Sequence, residues 1–197
     1  NPTWSVVELS DDNLFQHTGL DASAWKPIPR AAFSDVIRAQ LLAVSGGVWV
    51  DATTLCMVPL DEWLPKYAYT GFFAFQKQKS TIASWFLVAA SGDPLMRRWN
   101  EYVQRYWKQV SSPGPYFWFH YLFEYVVSLD PEMRAQWNAV PRFDSEGPYS
   151  VQRYLKTGDT SDFERIFTHH RIPLYKLDWR ISLPEGFLDM LAARGRT

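Results

Sequence analysis

Residues 34 to 53 read SDVIRAQLLAVSGGVWVDAT, and where this stretch divides decides the fold. Ser34 is a candidate helix cap, Asp35 stands in the first turn where the macrodipole favours a carboxylate, and Val36, Ile37, Leu41 and Leu42 supply an apolar face at helical spacing. Gly46 and Gly47 stop the helix. The apolar run Val48 to Val50 then reads as a short buried strand that delivers Asp51 at its C-terminal end. The residues alone leave two readings of Asp51 open. It is a polar strand stop in a turn, or it is a carboxylate that anchors a divalent cation on a diphosphate, with Thr53 as a hydroxyl ligand. Arg38, three residues after Asp35, shares its helix face, so an acceptor pair and a donor fork point the same way.

Outward from this unit, TTLCMVPL leads away as a second extended piece, and Asp61 and Glu62 open a short helix whose N-terminus they favour. Residues 71 to 76, GFFAFQ, read as a strand. Residues 82 to 90, IASWFLVAA, are a further buried strand or a buried helix segment, since periodicity alone does not separate the two. Asp93-Pro94 starts an amphipathic helix carrying Leu95, Trp99, Tyr102, Val103 and Tyr106. PYFWFHYLFEYVVSL reads as a second, more buried helix, and Asp130-Pro131 starts a short third one. Upstream, Trp4 to Leu9 reads as a short strand, and the stretch after it as loop with one helical turn. From Val151 onward short extended pieces such as IPLYKL precede a final helix near Phe187 to Ala193.

The chain of 197 residues has a formal net charge of −1 and 47% hydrophobic content, which fits a single domain over residues 1–197. With 20 basic and 21 acidic residues and no run of like charge, no electrostatic footprint for nucleic acid is present. The single cysteine, Cys56, excludes an internal disulfide and a cysteine-rich zinc site. Aromatic residues make up 17% of the chain, with ten Trp, and such side chains either fill a core or stack on the flat faces of sugars. No stretch has the length of a membrane-spanning helix, and the N-terminus lacks the layout of a signal peptide.

The stretch FSDVIRAQLLAVSGGVWVDATTLCMVPLDEWL, residues 33 to 64, resembles the core motif of nucleotide-sugar glycosyltransferases of the GT-A type, which carry a sugar-binding region with a DxD motif. It is most similar to the capsular polysaccharide synthesis protein family. IASWFLVAASGDPLMRRWNEYVQRYW, PYFWFHYLFEYV and IPLYKLDW resemble later segments of that family. The resemblance implies an α/β fold, a Rossmann-type mixed sheet flanked by helices. The chain opens on what resembles the second strand of that fold, so the first is expected to be missing.

The resemblance further implies transfer of a sugar from a nucleoside diphosphate donor, a UDP-sugar foremost, to a saccharide hydroxyl. Asp35, Arg38 and Gly47 would bind the donor sugar, and Asp51 would bind Mn²⁺ or Mg²⁺ on the diphosphate. The second Asp of DxD falls on Thr53. Trp85 is a candidate to stack on the donor, or a core residue. His169, His170 and Lys176 sit where related folds close a loop over the diphosphate; Lys176 would neutralise phosphate charge, and His169 would complete a metal shell with Asp51 and Thr53. His120 is a core histidine or a catalyst, and Glu101, Asp144 and Glu146 are surface charges or an acceptor-side base. A cytoplasmic location, at the inner face of a membrane or within a complex, follows from the likeness. Sugar-phosphate transfer and a non-catalytic saccharide-binding module remain alternatives.

Overall fold

The computed structural model describes residues 1–25, 28–77, 82–110, 114–161 and 172–194. In chain order these form α1 (Leu14–Thr18), a 3₁₀ turn (Ala22–Trp25), α2 (Arg30–Val44), β1 (Gly47–Val50), β2 (Thr54–Cys56), α3 (Leu60–Tyr67), β3 (Phe72–Gln76) and β4 (Ile82–Ala89). Then follow α4 (Pro94–Gln109), α5 (Trp118–Leu129), α6 (Pro131–Ala139), α7 (Glu146–Thr157), β5 (Leu174–Lys176) and α8 (Phe187–Arg194).

Two small sheets result. β1, β4 and β3 pair antiparallel in the order β1-β4-β3, and β2 pairs antiparallel with β5. The expected Rossmann-type mixed sheet is therefore present, among the described residues, only as antiparallel pairs and one isolated parallel bridge, Gln76 to Asp144. The reason is local for β3 and β4: the few residues between them suffice to reverse direction, whereas a parallel crossover needs a dozen or more. Of IASWFLVAA, Ile82 to Ala89 form a strand, not a helix.

Both faces of the three-stranded sheet are covered, which is why FFAFQ is uniformly apolar until its last residue instead of alternating. Phe73, Phe75 and Phe86 pack on Trp63 of α3. Phe72 turns the other way, stacking on Phe123 of α5 and meeting the edge of Trp137 of α6. Trp99 of α4, fully buried, stacks on Phe119 at 4.1 Å between ring centres. A second cluster, Val151, Tyr175, Phe187 and Leu191, joins α7, β5 and α8.

The helix starts follow the capping rules, with one correction. Asp93 accepts the Met96 amide at 2.8 Å, and Asp130 accepts those of Glu132 and Met133, each ahead of a proline that needs no amide partner. α2, however, begins at Arg30 behind Pro29, so Ser34 is not its cap and Asp35 lies beyond the first turn. Pro29, extended at φ −59° and ψ 143°, sets the boundary one turn earlier. The expected strand at Trp4 to Leu9 is absent: no described neighbour pairs with it, and Val6 and Val7 face solvent. Instead the N-terminus clips onto α3, through Thr3 and Trp4 to the Asp61 carboxylate and Asn1 to the Leu60 amide. α7 was not expected from sequence.

Gly46 turns α2 into β1 at φ 70°. A Cβ there would lie 2.5 Å from the Ser91 nitrogen and 2.8 Å from the Ala90 carbonyl carbon, so the turn admits only glycine.

Candidate functional site

Asp51 follows the last residue of β1 and continues its pairing, its amide donating to the Trp85 carbonyl at 2.9 Å. Trp49, two residues earlier, shares the strand face, so its indole N–H reaches the Asp51 Oδ1 at 3.0 Å. Arg38 comes up from α2. Its Nη1 donates to the Ser84 carbonyl at 2.8 Å and lies 3.2 Å from the Asp35 carboxylate, while its Nη2 reaches Ser34 Oγ at 3.2 Å and Asp51 Oδ1 at 3.5 Å. The guanidinium also sits over the Trp49 ring, 5.0 Å from its centre. One buried cation thus separates two carboxylates and fixes both.

The third arm arrives from far along the chain. β5 pairs with β2 so that Lys176 stands opposite Thr54, and the Leu177 amide donates to the Thr53 carbonyl at 2.7 Å. This register carries the Lys176 ammonium to 3.3 Å from Asp51 Oδ2 and into a hydrogen bond with the Thr53 hydroxyl. Asp35, Arg38, Asp51, Thr53 and Lys176, five of the residues singled out from sequence, are therefore brought together. Side-chain exposure is 8% for Arg38, 16% for Asp35, 15% for Lys176 and 27% for Asp51, which makes Asp51 the most open of the four charged groups.

The electrostatics follow from burial. Desolvation pushes the Asp35 carboxyl from 3.8 up to about 6; Arg38 opposes the rise, and the Asp51 charge adds to it. Burial, then the Asp51 charge, pushes the Tyr149 phenol up to about 12, so a neutral hydroxyl stands near Asp51. Burial, then the charges of Lys77 and Arg38, hold His120 down at about 4, a neutral imidazole at neutral pH.

The remaining candidates lie elsewhere or contribute differently. The Trp85 ring is 3% exposed and stacks on Phe75 at 5.0 Å, so it is the backbone carbonyl of Trp85 that meets Asp51. Gly47 sits at the opposite end of β1, paired with Ala89. Glu101 pairs with Arg98, Glu146 with Arg153, and the Asp144 carboxylate accepts the Glu146 amide. His169 and His170 lie outside the described residues. Sequence reasoning missed Trp49, whose spacing of two from Asp51 was a usable signal, and Tyr149, which only the tertiary fold brings near.

Among the described residues no group of three or more His, Cys, Asp or Glu side chains gathers to hold a metal. The Asp51 carboxylate and the Thr53 hydroxyl do converge on one cation position, where the Lys176 ammonium stands. Such a donor pair fits a hard divalent ion that takes its other ligands from phosphate and water, as Mg²⁺ does. No helix among the described residues is long and apolar enough to cross a membrane.

A family model described as capsular polysaccharide synthesis protein matches residues 1–188. No curated protein and no solved structure gives a significant match.

Proposed function

Since the chain belongs to the capsular polysaccharide synthesis protein family, we propose that it is a glycosyltransferase, moving a sugar from a nucleoside diphosphate donor to a saccharide hydroxyl. The observation that carries the reading is the convergence of Asp35, Arg38, Asp51, Thr53 and Lys176 from three separate segments on one partly open carboxylate. The helix, glycine turn, strand and carboxylate follow one another in the order that a GT-A-type donor site requires, and on this ground the fold is read as a variant of that type.

In the transfer, the bond from the sugar's anomeric carbon to the phosphate oxygen breaks, and the diphosphate leaves with the electron pair. A bond from the anomeric carbon to the acceptor oxygen forms as the acceptor hydroxyl passes its proton to the departing diphosphate or to water. The chain's residues divide this work by their exposure. Asp51 and Lys176, at the open side, meet the diphosphate end; Lys176 supplies positive charge where the leaving group gathers negative charge. Arg38, buried, acts as a positioning residue that fixes Asp35 and Asp51. Asp35 accepts hydrogen bonds from donor-sugar hydroxyls. With the Lys176 ammonium turned from its present place toward the diphosphate, Asp51 and Thr53 would hold Mn²⁺ or Mg²⁺, with His169 as a further ligand, and a bound cation of this kind would make the diphosphate a better leaving group.

The test is donor turnover across a panel of nucleotide sugars, with and without Mn²⁺, for the native chain and Asp51→Asn. Donor-specific release of a nucleoside diphosphate that Asp51→Asn abolishes in a folded protein is expected. Full activity in Asp51→Asn overturns the assignment, and release of a nucleoside monophosphate replaces it with sugar-phosphate transfer.

A further inference from the structure

On α5, Phe117, Tyr121, Tyr125 and Leu129 recur at every fourth position, starting from the residue that precedes the helix, and all four are exposed, between 42% and 55%. This spacing makes one continuous outer ridge. On α4, Arg97, Arg98, Glu101, Arg105 and Lys108 likewise share the solvent face. The two ridges adjoin where the Tyr102 ring meets the Tyr125 ring edge-on at 5.6 Å. Arg98 is engaged by Glu101 and Asp130, and Glu124 of α5 is half-buried, which leaves Arg97, Arg105 and Lys108 as the cations that this face presents outward beyond the Arg98 ion pairs. With a net charge of −1 for the whole chain, their clustering reflects no general basic excess.

We propose that the joint outer face of α4 and α5 docks on an anionic lipid surface. Tyrosine is the side chain suited to the boundary between headgroups and hydrocarbon, apolar in its ring and polar at its tip, while arginine and lysine beside it meet lipid phosphates. Three cations complement an anionic surface, and the two helices are too polar outside to be buried deeply, so the contact is shallow and reversible. The aromatic ridge begins beside the site: the Phe117 ring packs edge-on against His120, Lys77 sits over the same ring, and His120 feels the Arg38 charge. A chain seated on this face would hold its cleft next to the lipid boundary. The proposal is independent of the reaction assigned above.

The full chain is sedimented with vesicles of phosphatidylcholine mixed with phosphatidylglycerol, and with vesicles of phosphatidylcholine alone. Binding to the mixed vesicles is expected, weakened by salt, reduced about fivefold by each of Arg97→Gln, Arg105→Gln and Lys108→Gln, and reduced further by Tyr121→Ser with Tyr125→Ser. Near-UV circular dichroism and light scattering without lipid accompany each variant. Absence of binding, equal binding to neutral vesicles, or binding that these variants leave unchanged overturns the proposal. So does a dimer in lipid-free solution that the tyrosine variants dissociate, which would make the face a contact between copies.

Discussion

Asp35→Asn should make the protein more stable at neutral pH while impairing its donor site. The Asp35 carboxyl is raised from 3.8 to about 6 because burial costs its charged form more than Arg38, at 3.2 Å, returns. At about 1.4 kcal/mol for each pH unit, ionising it in the folded state costs up to about 3 kcal/mol relative to the unfolded chain. Asparagine keeps the shape of the neutral acid and removes that cost. The sign follows from proton counting: between 3.8 and about 6 the folded state binds more protons than the unfolded one, so this residue's contribution to stability falls as pH rises through that window. The gain from Asp35→Asn should accordingly be about 2 to 3 kcal/mol above the window and should vanish below it. For a chain of this length that corresponds to a rise in Tm of about 4 to 12 °C. Urea denaturation of both proteins at several pH values measures it. A variant that is less stable than the native chain above the window would show that the Arg38 ion pair outweighs desolvation, and would refute the reasoning.

His120 works in the opposite sense: held at about 4 against 6.5 when unfolded, it makes stability rise with pH between those values, so His120→Gln should unmask the downward slope of Asp35 in urea midpoints taken across that range. Lys176→Met should weaken nucleotide-sugar binding about tenfold or more in calorimetry while leaving Tm nearly unchanged, because Asp51 keeps Trp49 and Arg38; unaltered affinity would remove Lys176 from the site. Trp99→Ala empties a fully buried position stacked on Phe119 and should cost about 3 to 5 kcal/mol in denaturant unfolding. Gly46→Ala forces Ser91 away from its present place against α2's end and should cost at least the strain of a left-handed alanine, about 1 to 3 kcal/mol, read as a fall in Tm.

What was legible from sequence was what short-range chemistry dictates. The glycine pair after an apolar helix face, the Asp-Pro starts of α4 and α6, and the aromatic strand at 72–76 are each set within a few residues and stand as read. The missing pieces depend on distant partners. Trp4 to Leu9 has the composition of a strand, but a strand needs a neighbouring edge, and the described fold offers it none. α7 was hidden because Gly147 and Pro148 occupy its first turn, where proline is tolerated and yet reads as a break. Ser34 has the chemistry of a cap and instead hydrogen-bonds Arg38 from inside the helix, a use that appears only once Arg38 has turned toward Asp51. The grouping of Lys176 with Asp51 came from the family likeness, since no periodicity links positions so far apart; the β2–β5 register supplies the physical reason.

That register has a temporal consequence. The ribbon joins a segment near residue 55 to one near residue 175, so the carboxylate end of the cleft can form once β4 has paired with β1, while the ammonium that faces it waits until residue 176 has been made. Chains emerge from the ribosome N-terminus first, and closing so long a loop is among the slower events of folding. A chain that extends through β4 but stops short of β5 can build α2, β1 and the Asp51 corner, with Arg38 in place, and still lack the Lys176 ammonium. Completion of this residue cluster therefore waits on the β2–β5 pairing.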